Sequence, residues 1–267
     1  MPRRSRPARV RARLSQNFLV DPAAVRAIVR AAELTGSDLV LEPGPGAGAL
    51  TRELLRAAGR VHACELDPRY AARLRALYRD NPRITVSQRD FRTVQPPREP
   101  FAVVANIPFA ASTDILRWCL DAPALTTATL LTQREFARKH SGDYGRWSRL
   151  AVTHWPRTAL ALGPRVGRHS FDPVPAVDAA VLHVRRRAEP LLPAADLDRY
   201  RDLVHLGFTG TGGSFGASLA REYPRAEVRS ACRTADLDPE APVGLVTPDQ
   251  WLTVYRVLGR REPPPAT

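Results

Sequence analysis

The sequence predicts an α/β chain: an open, mostly parallel, doubly wound sheet followed by a small all-helical domain. Three observations carry this. Short apolar runs at 39–41, 61–65, 84–86 and 101–105 alternate with longer stretches of helical period. A polar side chain stands at or just beyond the end of each run: Glu42, Glu65, Asp90 and Asn106. From about residue 190 the chain reads as helices separated by Pro- and Gly-containing joints.

Residues 1–13 carry Arg3, Arg4, Arg6, Arg9, Arg11 and Arg13 among Pro, Ser and Ala, and read as a disordered basic arm. Ser15-Gln16-Asn17-Phe18-Leu19 precedes a helix over 23–32, which Asp21 caps and Pro22 opens. The strand at 39–41 runs into Glu42-Pro43-Gly44-Pro45-Gly46-Ala47-Gly48, and a helix follows over 49–58. Strand, glycine loop and helix let the backbone approach a ligand closely. The spacing is G-x-G-x-G behind an acid, which suits an amine-bearing ligand better than a pyrophosphate. The strand at 61–65 ends in Glu65, 17 residues beyond Gly48, where an acid accepts from both hydroxyls of a ribose. Asp67-Pro68 opens a helix over 69–78. The strand at 84–86 leads to Gln88-Arg89-Asp90-Phe91, where Asp90 either accepts from an exocyclic amine or closes a turn.

The strand at 101–105 delivers Asn106-Ile107-Pro108-Phe109. Pro108 cannot donate to a ladder, so the strand stops beside it. An amide, two backbone carbonyls and an aromatic ring then stand at the carboxyl end of a strand, where open α/β sheets bind ligands. The set suits a flat base that carries an exocyclic amine. The Asn106 oxygen and a carbonyl near Pro108 can accept the amine hydrogens. Phe109 can stack on the base, worth roughly 1–3 kcal/mol. An adenine amine is a weak nucleophile because its lone pair is conjugated into the ring. Accepting its hydrogens out of the ring plane localises that pair, and no charged base is needed. Four residues alone fit a plain strand end and turn better; the recurrence of polar groups at four strand ends is what favours one ligand-binding edge.

Further on, 113–120 reads as a helix and 129–132 as a strand. Residues 134–149 are rich in Arg and His, with Tyr144 and Trp147 among them. Basic residues interleaved with aromatics suit RNA, and Arg134, Arg138, Lys139 and Arg146 are candidate phosphate contacts. A partly buried helix edge fits the same pattern. A strand at 180–184 and the triplet Arg185–Arg187 close this part. Helices are expected over 196–207, 214–221, 226–233 and 248–258. The expected division is an arm at 1–13, a ligand-binding catalytic domain at 14–187, a helical RNA-binding domain at 188–260 and a disordered tail at 261–267.

The chain has 267 residues and a net charge of +13, from 40 Lys+Arg against 27 Asp+Glu. Such an excess points to a polyanionic partner, with nucleic acid first. Lys139 is the sole lysine, a preference that a GC-rich genome explains more simply than phosphate forks do. The apolar runs are too short to span a membrane, and no apolar segment follows the basic N-terminus as in a signal peptide. Cys64, Cys119 and Cys232 lie far apart, and neither they nor the six histidines show metal spacing. A cytoplasmic, monomeric protein without a metal is the expectation.

These motifs together resemble the S-adenosylmethionine-dependent rRNA adenine N6-methyltransferases, and more closely the Erm family. The resemblance rests on Glu42–Gly48, Glu65, Asp90 and Asn106–Phe109. It extends to Ser15–Leu19, Thr132–Ala137, Gly142–Trp147 and Phe171-Asp172-Pro173-Val174-Pro175-Ala176-Val177, and so covers about 13–187. It implies a Rossmann-like class I methyltransferase sheet, S-adenosylmethionine as cofactor and an adenine of 23S rRNA as substrate, with macrolide–lincosamide–streptogramin B resistance as the outcome. By this resemblance Gln16, Asn17, Leu19, Glu42, Gly44, Gly46, Gly48, Glu65, Leu66, Asp90, Phe91 and Asn106 surround the cofactor. Asn17 and Leu19 line its methionine end, Gly44 meets it through the backbone, Glu65 holds the ribose and Asp90 the adenine amine. Asn106, Ile107, Pro108, Phe109 and Phe171 serve the target base, with Phe109 and Phe171 sandwiching it. The fourth position of the central motif is more often Tyr, so Phe109 keeps the stacking and lacks the hydroxyl. The small-subunit rRNA dimethyladenosine transferases share the core motifs and are the near alternative; residues 132–147 favour the first reading. A non-catalytic nucleic-acid-binding factor on the same fold is the alternative of another class. The glycine spacing disfavours a nicotinamide dehydrogenase. The loop Gly210-Thr211-Gly212-Gly213-Ser214 lacks the basic character expected of an RNA-contacting loop.

Overall fold

A computed structural model describes residues 17–210 and 212–259. The basic arm, Gln16 and the expected tail lie outside the described residues. Chain order begins with β1 (Phe18–Leu19), α1 (Pro22–Ala31), β2 (Leu39–Pro43), α2 (Ala49–Ala57), β3 (Arg60–Glu65), α3 (Pro68–Leu77) and β4 (Ile84–Gln88). It continues through β5 (Phe101–Asn106), α4 (Ser112–Asp121), β6 (Leu125–Gln133), α5 (Arg134–Ser141), α6 (Arg149–His154) and β7 (Thr158–Val166). Then come β8 (Phe171–Asp172), β9 (Ala179–Arg186), α7 (Leu197–Gly207), α8 (Phe215–Leu219), α9 (Arg225–Thr234) and α10 (Pro248–Leu258).

The seven-stranded sheet runs β4-β3-β2-β5-β6-β9-β7. Strands β4, β3, β2, β5 and β6 are parallel, and β9 joins β6 antiparallel. The order turns back between β2 and β5, which therefore lie side by side and deliver the glycine loop and Asn106 to one place. Open α/β sheets bind ligands at such a point.

The local signals work as expected. Asp21 accepts from the Ala23 N–H at 2.8 Å and Asp67 from the Arg69 N–H at 2.9 Å, with a proline in the first turn of each helix. Strand β5 ends at Asn106, two residues before Pro108. Three strands, β1, β7 and β8, were not expected. Strand β7 contains Gly163-Pro164 and lies at the sheet edge, where a proline is tolerated. A Cβ at 163 would stand 2.6 Å from His183 Nε2, so glycine is what admits the imidazole from β9. Strand β1 pairs antiparallel with β8, Phe18 opposite Asp172 and Leu19 opposite Phe171, a contact between segments about 150 residues apart.

The chain divides into two compact units, and the boundary differs from the expected one at 187. The first runs through Ala137 and takes in Ala161–Arg186; the second comprises Arg138–Leu160 and Arg187 onward. The first unit's core joins Val40, Leu54, Val61, Val104, Leu131 and Val181 across the sheet and its helices. The second has its own core around Trp251, Tyr200, Phe215 and Val228, and Val152 of α6 belongs to it. Segment 138–160 thus goes with the helices because α6 buries its apolar face among them. Among the described residues no helix is long and apolar enough to cross a membrane, and no cluster of three or more His, Cys, Asp or Glu could hold a metal.

Candidate active site

Three cavities meet at Gly44, beyond the carboxyl ends of β2, β3 and β5. The largest, about 230 Å³, is lined by Glu65, Leu66, Asp90, Phe91, Pro108 and Ile115 among others. Two smaller ones, about 40 Å³ each, share Phe18, Gly44 and Asn106. One of these adds Asn17, Pro108 and Phe109, and the other Leu19 and Glu42. The four strand-end groups Glu42, Glu65, Asp90 and Asn106 therefore do converge on one groove.

Asn106 is the best-defined of them. Its Nδ2 donates to the Asn17 carbonyl at 2.9 Å, a bond spanning 89 residues. With the amide nitrogen held there, Oδ1 is the atom left to accept. Ile107 is buried, and its N–H continues the ladder to the Leu131 carbonyl at 3.0 Å, so the backbone beneath the motif is fixed. The Pro108 carbonyl accepts from the Ala111 N–H at 2.9 Å and, more weakly, from Ser112 Oγ at 3.4 Å. Phe109 is half-buried on the cavity wall.

Glu65 is 1% exposed. Its Oε2 accepts from Gly46 N–H and its Oε1 from Asp67 N–H, both at 2.8 Å. Each oxygen keeps a lone pair, and the residue lines the largest cavity. Burial pushes its carboxyl up, against the pull of those two N–H groups. Asp90 caps its own turn and is gripped by Arg92, whose Nη2 lies 2.6 Å from Oδ2 while Nη1 reaches Asp114 at 3.2 Å. Arg92 holds the Asp90 carboxyl below the usual carboxylate range. Leu66, half-exposed, and Phe91, packed on Trp118 at 4.3 Å, give this cavity apolar walls.

Glu42 is 1% exposed and accepts from Thr51 Oγ1 at 2.7 Å. Burial pushes its carboxyl up to about 8, so it carries a proton at neutral pH. Burial thus makes Glu42 hold negative charge less readily than an exposed acid behind the loop would. The three loop glycines also divide their tasks. A Cβ on Gly44 would meet nothing within 4 Å, so its backbone lies open to a ligand. One on Gly46 would stand 2.8 Å from the Phe18 ring, and one on Gly48 2.9 Å from Leu74 Cδ2. Those two admit packing partners, and Gly48 is buried.

Phe171 differs from expectation. It is 2% exposed, lies in the core cluster with Leu19 and lines none of the three cavities, so no two-ring sandwich stands preassembled with Phe109. The candidate RNA contacts differ among themselves. Lys139 and Arg146 are exposed and Arg134 is half-buried. Arg138 is held by Asp143 and lies 3.7 Å over the Tyr144 ring, so it staples its own loop. Phe18, Thr51 and Arg92 were missed as site residues. In a chain so rich in arginine nothing marked Arg92, and Thr51 is tied to Glu42 only across the folded loop.

The groove has the donor set of a nucleoside-binding site: a carboxylate with two spare lone pairs, a slot with apolar walls, and an open glycine backbone. Together with the sheet, this defines a class I methyltransferase. The ribosomal RNA adenine dimethylase profile matches residues 8–259, and the chain belongs to that family. It is 49% identical to an rRNA adenine N-6-methyltransferase of Aeromicrobium erythreum, over 96% of this chain and 75% of that one. It is 48% identical to one of Saccharopolyspora erythraea, over 96% and 67%. The solved structure of the 23S rRNA methyltransferase ErmE superposes with a TM-score of 0.86 at 48% identity, covering 91% of this chain and all of that one. A small-subunit methyltransferase A of Thermobifida fusca is 33% identical over 85% and 83%.

Proposed function

We propose that the chain transfers a methyl group from S-adenosylmethionine to N6 of an adenine in 23S rRNA, and so protects its host's ribosome from macrolide, lincosamide and streptogramin B antibiotics. The observation that carries the reading is the Asn106 amide, oriented by Asn17 at the edge of the Gly44 groove. The cofactor supplies an electrophilic methyl carbon on a sulfonium. Glu65 would hold its ribose, Asp90 its adenine amine, Leu66 and Phe91 its base, and the Gly44 backbone its methionine part. Asn106 Oδ1 and a backbone carbonyl beside Pro108 accept the hydrogens of the target amine, and Phe109 stacks on the target base. Turning the adenine out of its stack costs a few kcal/mol, and stacking on Phe109 offsets part of that. The protein contributes position and fixed dipoles, without an ionised base.

Asn106→Ala should lower turnover on a 23S rRNA fragment by about 10²–10³-fold, the scale of removing one preorganised polar group. Cofactor affinity, read by calorimetry, should weaken only modestly. Wild-type turnover in this variant would refute the role given to the amide. The substrate is tested separately by offering 23S and 16S fragments and mapping the methylated adenine by mass spectrometry. Identity of 48% to the 23S rRNA methyltransferase ErmE against 33% to the small-subunit enzyme supports 23S.

A further inference from the structure

The helical unit holds a cavity of about 480 Å³ that the reaction does not use. Such a volume falls within the roughly 300–1,000 Å³ of small-ligand pockets. Its floor includes Ala217, Ala220 and Val228, and Arg221, Arg225 and Arg229 stand among its lining with one carboxylate, Glu240. The glycine-rich loop helps shape it. A Cβ on Gly212, at φ +94°, would lie 2.7 Å from Ala217 Cβ, and one on Gly216 would lie 2.9 Å from the Pro239 carbonyl. Glycine at these positions allows the close wall, which accounts for a loop whose composition otherwise fits no RNA contact.

The arginines of α9 are not explained by its packing. Arg225, Arg229 and Arg233 follow one another at four-residue steps on α9, about 6 Å apart along its axis. All three are exposed, and none makes an ion pair among the described residues. Like charges at this spacing repel one another; only Arg233, in the last turn, is favoured by the helix dipole, and Arg225 and Arg229 are not. The adjoining face of α9 buries Val228, Ala231 and Cys232, so Arg225 and Arg229 border the apolar floor of the cavity.

We propose that this cavity is a second RNA-docking site, taking one unstacked nucleotide of the substrate rRNA. Arg225 and Arg229 grip its phosphate, the base rests on the Ala217–Val228 floor, and Arg233 meets a neighbouring phosphate. Guanidinium groups suit both tasks, since they fork onto phosphate and stack on bases. The inference rests on rRNA being the substrate, and charge complementarity selects the occupant.

The test uses the full chain. Ultraviolet crosslinking of wild-type protein to a 23S rRNA fragment, read by mass spectrometry, should attach nucleotides within peptides spanning 212–229. The Arg225→Ala/Arg229→Ala variant should raise KM for the fragment by about tenfold and lower the slope of log affinity against log salt by about two. Its kcat and cofactor affinity should stay at wild-type values. An Arg225→Lys/Arg229→Lys variant should recover the salt slope and only part of the KM. Unchanged KM and slope in the alanine variant would overturn the proposal. So would a defect seen only on particles carrying ribosomal proteins, which would mark a protein-docking surface. Crosslinks in this cavity without methylation of 23S would uphold the site and refute the substrate reading; methylation indifferent to both variants would do the reverse.

Discussion

Glu42 shows how one buried side chain sets a pH dependence. Its carboxyl lies against Thr51 and is pushed up to about 8, whereas in an unstructured chain it would titrate near 4.5. Between those values the folded protein keeps a proton that the unfolded chain releases. The contribution to stability is therefore complete below the lower value and is lost as pH rises through the upper one. Glu42→Gln keeps a neutral acceptor and removes the titration. Melting curves should show the wild type losing ground to this variant as pH rises from about 5 to 9, by an amount on the order of a few kcal/mol. Parallel curves would mean that Glu42 is ionised throughout. Asn106 is the contrasting case: its role depends on orientation, which the Asn17 carbonyl supplies.

At the scale of elements, the pairing of β1 with β8 matters most. It seats Leu19 against Phe171 and brings Asn17 to Asn106. Phe171 is thereby a core residue of the first unit, and Phe171→Ala should cost about 3–5 kcal/mol of stability in chemical denaturation. Phe171→Leu should restore most of it. An alanine variant as stable as wild type would contradict the packing described, and a leucine variant stable yet slow would reveal a stacking role besides. Most elements were legible because their signals are local. Asp21 and Asp67 cap, Pro22 and Pro68 open helices, and Pro108 follows the end of β5. Strands β1, β7 and β8 were not, since two are only two residues long and the third carries Gly163-Pro164. Their existence depends on neighbours distant in sequence.

The whole molecule is built as two units whose boundary does not follow chain order. Residues 138–160 leave the first unit and return at 161. Trp147 and Trp155, 5.3 Å apart, pack against the helical core that also holds Val152. A chain ended at 187 should therefore expose these side chains, bind a hydrophobic dye and melt without a cooperative transition. A truncated protein that melts as sharply as the full one would show that 138–160 does not need the helices.

The chain's periodicity, caps and punctuation were enough to specify the parallel sheet and to put Glu42, Glu65, Asp90 and Asn106 at or beyond its strand ends, because each of these signals acts over a few neighbouring residues. Folding in space added what no local signal carries: β2 beside β5, Asn17 holding Asn106, Arg92 gripping Asp90, Phe171 withdrawn into the core, and 138–160 assigned to the helices. Each of these follows from strand order or side-chain packing between distant segments, where burial and register select the partner.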